Sequence, residues 1–301
     1  VKRLFLMLTM VLAGMLTACG GSRHAPAVEN PYAESARSFA MVGVTAMRLE
    51  RWEAAERSFE RQLVAAQMAD DTPVVVLAHY NLGMVRLAAG QRERGQRQLR
   101  RTLYLAQRNG FAVMAARARL ALALDQARSG GTVPVISDIK ADWPADVQLS
   151  AGRLALYRHD LDGARRAYGR ALHQAGHDRG GVVLQAKAHL GLAMTAKAAG
   201  NAAESRGELQ LTLKLCRRAG APRVAADALM LLASANGKIP DRLDAAVRAL
   251  TIYRDLQDKG SQRRALTLLV SLTTGDGRAH WQKELDTLNA KTSTPVRQDA
   301  P

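Results

Sequence analysis

A frame of recurring turn residues runs along the 301 residues and narrows the folds open to the chain. Gly90 is followed by Leu99, Leu103, Ala106 and Gly110, and Gly200 by Leu209, Leu213, Cys216 and Gly220, at the same offsets. Begun at Glu50 the frame meets Phe59, Leu63 and Ala66; begun at His159 it meets Tyr168, Leu172 and Ala175. The turn positions Glu50, Gly90, Gly130, His159, Gly200 and Pro240 lie 40, 40, 29, 41 and 40 residues apart. A unit of that length holds two amphipathic helices about a turn, such as an apolar helix over 75–88, a turn at Ala89 and Gly90, and a second helix reaching Ala106. Glycine suits these turns because it takes positive φ at little steric cost. A lone pair cannot bury its apolar face, so neighbours must stack into a curved solenoid. Five pairs are expected, with one damaged unit at the short step.

Composition agrees with an all-α fold. Hydrophobic residues make up 48% of the chain and aromatics only 4%, so the core must be built from Ala, Leu, Val and Met, which suit closely packed helices. Three stretches carry a family resemblance: MVGVTAMRLERWEAAERSFERQL (41–63), NLGMVRLAAGQRERGQRQL (81–99) and SAGRLALYRHDLDGARRAYGRAL (150–172). They resemble tetratricopeptide repeats. In that motif a small residue lets the first helix approach closely, here Gly43, Gly83 and Gly152. A second small residue, followed by an aromatic or Leu, seats the second helix, here Ala55 and Phe59, Gly95 and Leu99, Ala164 and Tyr168. The likeness covers residues 35–258. The period of about 40 exceeds the usual 34, and the family's Trp and terminal Pro are mostly missing. Long-period members are the better comparison.

The amino end reads as a targeting signal. Lys2 and Arg3 precede the apolar run LFLMLTMVLAGML (4–16), which has the length of a secretory h-region and is short for a membrane span. Thr17 and Ala18 then lead to Cys19 and Gly20, so 16–20 resembles a bacterial lipobox; the alternative is an ordinary secretory peptide with an incidental cysteine. The resemblance implies cleavage before Cys19, acylation of that residue, and an anchor firmer than one acyl chain provides. Gly20 in place of Asp implies sorting to the outer membrane under the enterobacterial rule. The remaining cysteine, Cys216, has no intramolecular partner and occupies the slot held elsewhere by Ala66, Ala106 and Ala175, so it is expected to be a small buried apolar residue. The formal charge of +16 falls to about +14 without Lys2 and Arg3, which bears on partners and solubility rather than on fold.

Irregularities divide the expected molecule. After the signal (1–18) come the acylated cysteine and a flexible tether (19–33), one repeat lobe (34–129), an irregular connection (130–144), a second lobe (145–258), a capping helix pair (259–289) and a disordered tail (290–301).

Signatures of catalysis are scarce. The sequence holds no Gly-rich phosphate loop and no Gly-x-Ser-x-Gly elbow. His173 and His177 stand four apart, the spacing for a shared metal on one helix face, but no third ligand is assignable. They read better as exposed helix-terminal histidines, and no metal or other cofactor is expected. Arg94, Arg97, Arg101, Arg166, Arg170, Arg206, Lys214 and Arg217 recur at helical spacing on second helices. They form either a solvated face or a basic ridge for anionic lipid, lipopolysaccharide phosphates or an acidic partner. Nucleic acid is not expected, since few aromatics are interleaved for base stacking.

Aligned on the glycine slots, the first helices place Tyr80, Met84, Leu87, Leu120, Leu124, Leu149, Arg153, Leu156, Leu190 and Met194 toward a concave face. Mostly apolar, these residues either meet in a core or line an open groove for a hydrophobic guest. Together these features predict a non-enzymatic lipoprotein on the periplasmic face of the outer membrane. Its solenoid recruits an envelope protein in the manner of a pilotin or assembly accessory. The second reading is a periplasmic carrier that holds a lipid or sterol-like ligand in the concavity.

Overall fold

The computed structural model describes residues 30–176 and 179–293. The apolar run at 4–16, Cys19, most of the tether, His177 and residues 294–301 lie outside that range. Among the described residues there are thirteen α-helices and no strand. They are α1 (Pro31–Arg48), α2 (Trp52–Met68), α3 (Thr72–Ala88), α4 (Arg92–Arg108), α5 (Ala112–Arg128), α6 (Ala145–Tyr157), α7 (Leu161–Gln174), α8 (Arg179–Ala198), α9 (Ala202–Ala219), α10 (Pro222–Ala233), α11 (Ile239–Asp255), α12 (Lys259–Leu272) and α13 (Gly275–Ser293). The chain is an all-α solenoid of the tetratricopeptide-like kind. Antiparallel pairs form between α1 and α2, α3 and α4, α6 and α7, α8 and α9, α10 and α11, and α12 and α13. α13 runs past 289, so residues 290–293 are helical where a tail was expected.

Chemistry visible in the sequence sets the helix boundaries. Asn30, Asp71, Asp160, Asn201 and Asp258 each cap a helix by accepting a backbone N–H through the side chain. At most junctions the chain turns through a single left-handed residue: glycine at 90, 110, 130, 200 and 220, with Gly275 opening α13, but Glu50, Asp70, His159 and Gln257 elsewhere. Those four side chains carry a backbone cost that glycine avoids. Pro240, expected at a turn, lies in the first turn of α11, where its missing N–H breaks no intrahelical bond.

The repeat frame is the core. Phe59 and Leu99 are wholly buried, and Tyr168 and Leu209 nearly so. Each seats against the small residue sixteen positions earlier. A Cβ built on Gly43 would stand 2.5 Å from the Phe59 ring, one on Gly83 2.7 Å from Leu99, and one on Gly152 2.8 Å from the Tyr168 ring. These glycines are therefore a matter of space, with both helices in ordinary geometry. Cys216 is buried with Ala186 and Val224, and burial pushes its thiol up to about 11.

Successive first helices touch directly, as α1 with α3, α3 with α5, α6 with α8, and α8 with α10, while no comparable contact joins successive second helices. The first helices therefore take the inside of the curve. The curvature brings distant units together: Arg223 at the start of α10 bonds Glu50, in the turn after α1, and also Asp258. It lies 5.7 Å over the Tyr253 ring as well.

One unit departs from the pattern. After α5 the chain runs from 131 to 140 without regular structure. Gly130, Gly131, Pro134 and four β-branched residues within 132–136 disfavour a helix there. Val133, Ile136, Ile139 and Trp143 nevertheless pack against Leu120, Leu124, Val147 and Leu154, so this core passes from α5 directly into α6.

Candidate functional site

On the concave side, one row of first-helix positions carries charge. Six residues ahead of the small slots Ala123, Gly152 and Ala193 stand Arg117, Asp146 and Lys187. Arg117 grips Asp146 with two bonds, Nε to Oδ2 at 2.8 Å and Nη2 to Oδ1 at 3.0 Å. Tyr80, on the neighbouring α3, lies within reach of both charges; desolvation first, then Asp146, pushes its phenol up to about 12.

Lys187 sits among more positive charge. Desolvation first, then the charges of Arg153 and Arg48, hold its ammonium below the ordinary lysine range, with Asp146 opposing. Its side chain stays open to water. Protein therefore surrounds it without covering it, as expected in a concavity. Arg48 comes from α1, Arg153 from α6 and Lys187 from α8, so one cluster draws on units far apart in the chain. Arg48, Arg153 and Lys187 are exposed and form no ion pair with any described residue. Asp146, the carboxylate that opposes this charge at Lys187, is already held by Arg117. A carboxylate or other anion entering the cluster would relieve the repulsion among its cations.

The concave residues expected from sequence are distributed unevenly. Arg153 and Met194 are exposed; Tyr80, Met84, Leu87, Leu149, Leu156 and Leu190 are half-buried. Leu120 at 1% exposed and Leu124 at 7% belong to the core between α5 and α6, which corrects their assignment to a groove. With the second helix missing from that unit, the irregular strip and α6 pack directly on this face of α5 and cover both leucines. Leu87 packs on α4, where a Cβ on Gly95 would meet it at 2.8 Å, and Leu190 packs toward α9 and α10. The concave face is consequently more polar than the apolar row suggested. Arg117, Asp146 and Lys187 lie three residues ahead of the row that spacing alone assigns to the concave face. Reading the same frame six residues ahead of each small slot finds them.

The outer basic residues Arg94, Arg97, Arg101, Arg166, Arg170, Arg206, Lys214 and Arg217 are all exposed. Arg94 bonds Gln91 at 2.7 Å, Arg97 lies 3.8 Å from Glu93, and Arg101 stacks 5.5 Å over Tyr104. Arg166 and Arg170 line a groove beside the irregular segment. His173 is exposed at the end of α7. Among the described residues, no three His, Cys, Asp or Glu side chains gather as ligands for a metal. No helix among them is long and apolar enough to cross a membrane.

No protein-family model matches the chain, and no curated protein matches it significantly. Its class therefore rests on the repeat itself: paired antiparallel helices, a period near 40, and small slots seated on Phe, Leu or Tyr sixteen residues later. Those features define a helical-repeat solenoid, an architecture suited to presenting an extended surface to another protein.

Proposed function

We propose that the chain is a non-enzymatic scaffold that recruits a protein partner through the concave face of its solenoid. The cluster of Arg48, Arg153 and Lys187 around the Arg117–Asp146 pair carries this reading, because its uncompensated charge complements an acidic partner segment. The lipobox-like 16–20 supports the finer statement. Acylated at Cys19, the protein is held on the periplasmic face of the outer membrane, and the tether leaves the solenoid free to engage an envelope protein. Comparable lipoproteins serve as pilotins and assembly accessories, and the role proposed here is of that kind. The carrier reading loses support because charged groups occupy much of the concavity that a lipid or sterol-like ligand would fill.

Photocrosslinking from positions 80 and 153 of the membrane-bound protein tests the scaffold. An acidic partner is captured by the native chain and lost on Lys187→Glu or Arg153→Glu, with helicity unchanged. Capture that survives both charge reversals overturns the reading. A stoichiometric lipid released from the native protein on denaturation restores the carrier. Cys19→Ser should release the protein from the outer-membrane fraction.

A further inference from the structure

The damaged unit leaves a feature that the scaffold reading does not use. From 132 to 139 no backbone N–H or C=O takes part in a backbone hydrogen bond with a described residue, although Val133, Ile136 and Ile139 anchor the strip to the core. A groove runs along each side. One, of about 450 Å³, is bordered by Arg119, Leu122, Gln126 and Val135. The other, of about 180 Å³, lies between Ile136, Ile139 and α6, with Arg158, Arg166 and Arg170 among its lining residues.

Polar groups here lack partners. Three buried side-chain polar atoms among the described residues have none, and two of them flank this strip: Arg119 Nε and Gln148 Oε1. Gln148 is wholly buried and donates from Nε2 to the Lys140 carbonyl at 2.6 Å, which pins the end of the strip. Arg119 holds Asp138 at 2.6 Å through Nη2. That bond, set against slight desolvation, keeps the Asp138 carboxyl below the ordinary range. Arg158, Arg166 and Arg170 are exposed and form no ion pair with a described residue. The carboxylate lining the same groove, Asp160, is engaged by the Gly163 N–H at 2.8 Å.

We propose that this strip is a second binding site, which takes an extended acidic peptide segment of a partner protein. The peptide lies along 133–139 and turns its carboxylates toward Arg158, Arg166 and Arg170. Two kinds of open group choose this occupant. Backbone donors and acceptors along the strip that no other described backbone group engages can be met by the backbone of a bound peptide. The arginine forks match carboxylates. A phosphate or lipid headgroup offers chiefly acceptors and leaves the strip's carbonyls unmet. The site shares no residue with the concave cluster, so either can fail without the other.

Hydrogen exchange on the full chain, with and without a ten-residue peptide of alternating Glu and Val, tests it. A peptide of alternating Lys and Val, inorganic phosphate, and vesicles with anionic lipid serve as comparisons. The Glu peptide alone is expected to slow exchange of the amides at 132–139 other than Pro134. Arg166→Gln with Arg170→Gln should weaken its binding about tenfold or more, and Ser137→Pro, which deletes one backbone donor, should weaken it with all three arginines intact. Arg153→Glu and Lys187→Glu should leave it unchanged. No protection at 132–139 at millimolar peptide overturns the proposal, as does equal protection by phosphate or vesicles, or binding lost only in the concave variants.

Discussion

The unit built from α6 and α7 and the unit that begins with α5 solve one packing problem in two ways. In the first, Gly152 lets α6 approach until the Tyr168 ring fills the space a Cβ would need. In the second, the slot is Ala123, and sixteen residues later stands Ile139, no longer on a helix but still packed against the same core. The position survives while the helix that carried it does not. A solenoid unit therefore needs its apolar anchors more than a regular second helix. What the helix adds is closure of its own backbone hydrogen bonds. Where it is missing, those groups open onto a groove.

The largest effect that would break this comparison is expected at Trp143, which is 9% exposed and closes the core beneath the irregular strip. Trp143→Ala should cost about 3–5 kcal/mol, read as a loss of denaturation midpoint. A cost below 1 kcal/mol would mean the strip is not an anchor. Next come the slots. Gly152→Ala forces a methyl into the Tyr168 ring and should cost about 1–3 kcal/mol, whereas Ala123→Gly removes a methyl from a helix and should cost about 1 kcal/mol. Equal costs would show that the slot plays one role in both units.

Acid sharpens the contrast between the intact N-terminal units and the broken one. The buried Arg86 bonds Glu56 at 2.7 Å and Glu60 at 2.9 Å. Desolvation pushes the Glu56 carboxyl up, but Arg86, Gln91 and Arg94 together outweigh it and hold it below its ordinary 4.5. A carboxylate held low contributes stability that is fully present above pH 4.5 and is lost as the pH falls through its folded value. The stability gap between the native chain and Glu56→Gln should therefore narrow on acidification below pH 4.5. A constant gap would place its contribution in packing. The smallest effect is at His159, whose φ of 59° lies in the left-handed region. His159→Gly should raise stability by about 1 kcal/mol, while the same exchange at Ala145, within α6, should lower it.

Much of this was legible beforehand. Phe59, Leu99, Tyr168 and Leu209 could be picked out as seats because the repeat supplies its own alignment. The functional face was read less well. Leu120 looked equivalent to Tyr80 by spacing but is core, because the irregular strip and α6 pack over it where a second helix is missing, and no periodicity records that. The row with Arg117, Asp146 and Lys187 was visible in principle, but charges on a helix face ordinarily signify solvent.

The sequence by itself determined the helices, their pairing and the place where the pattern breaks, because periodicity, caps and turn residues act over a few neighbours. Only the tertiary structure decided that Glu50 meets Arg223 and that Arg48, Arg153 and Lys187 share one concavity. Those meetings depend on the angle between successive pairs. Each angle is a small sum of packing contacts, and across five units it accumulates into a curve that no single stretch of sequence encodes.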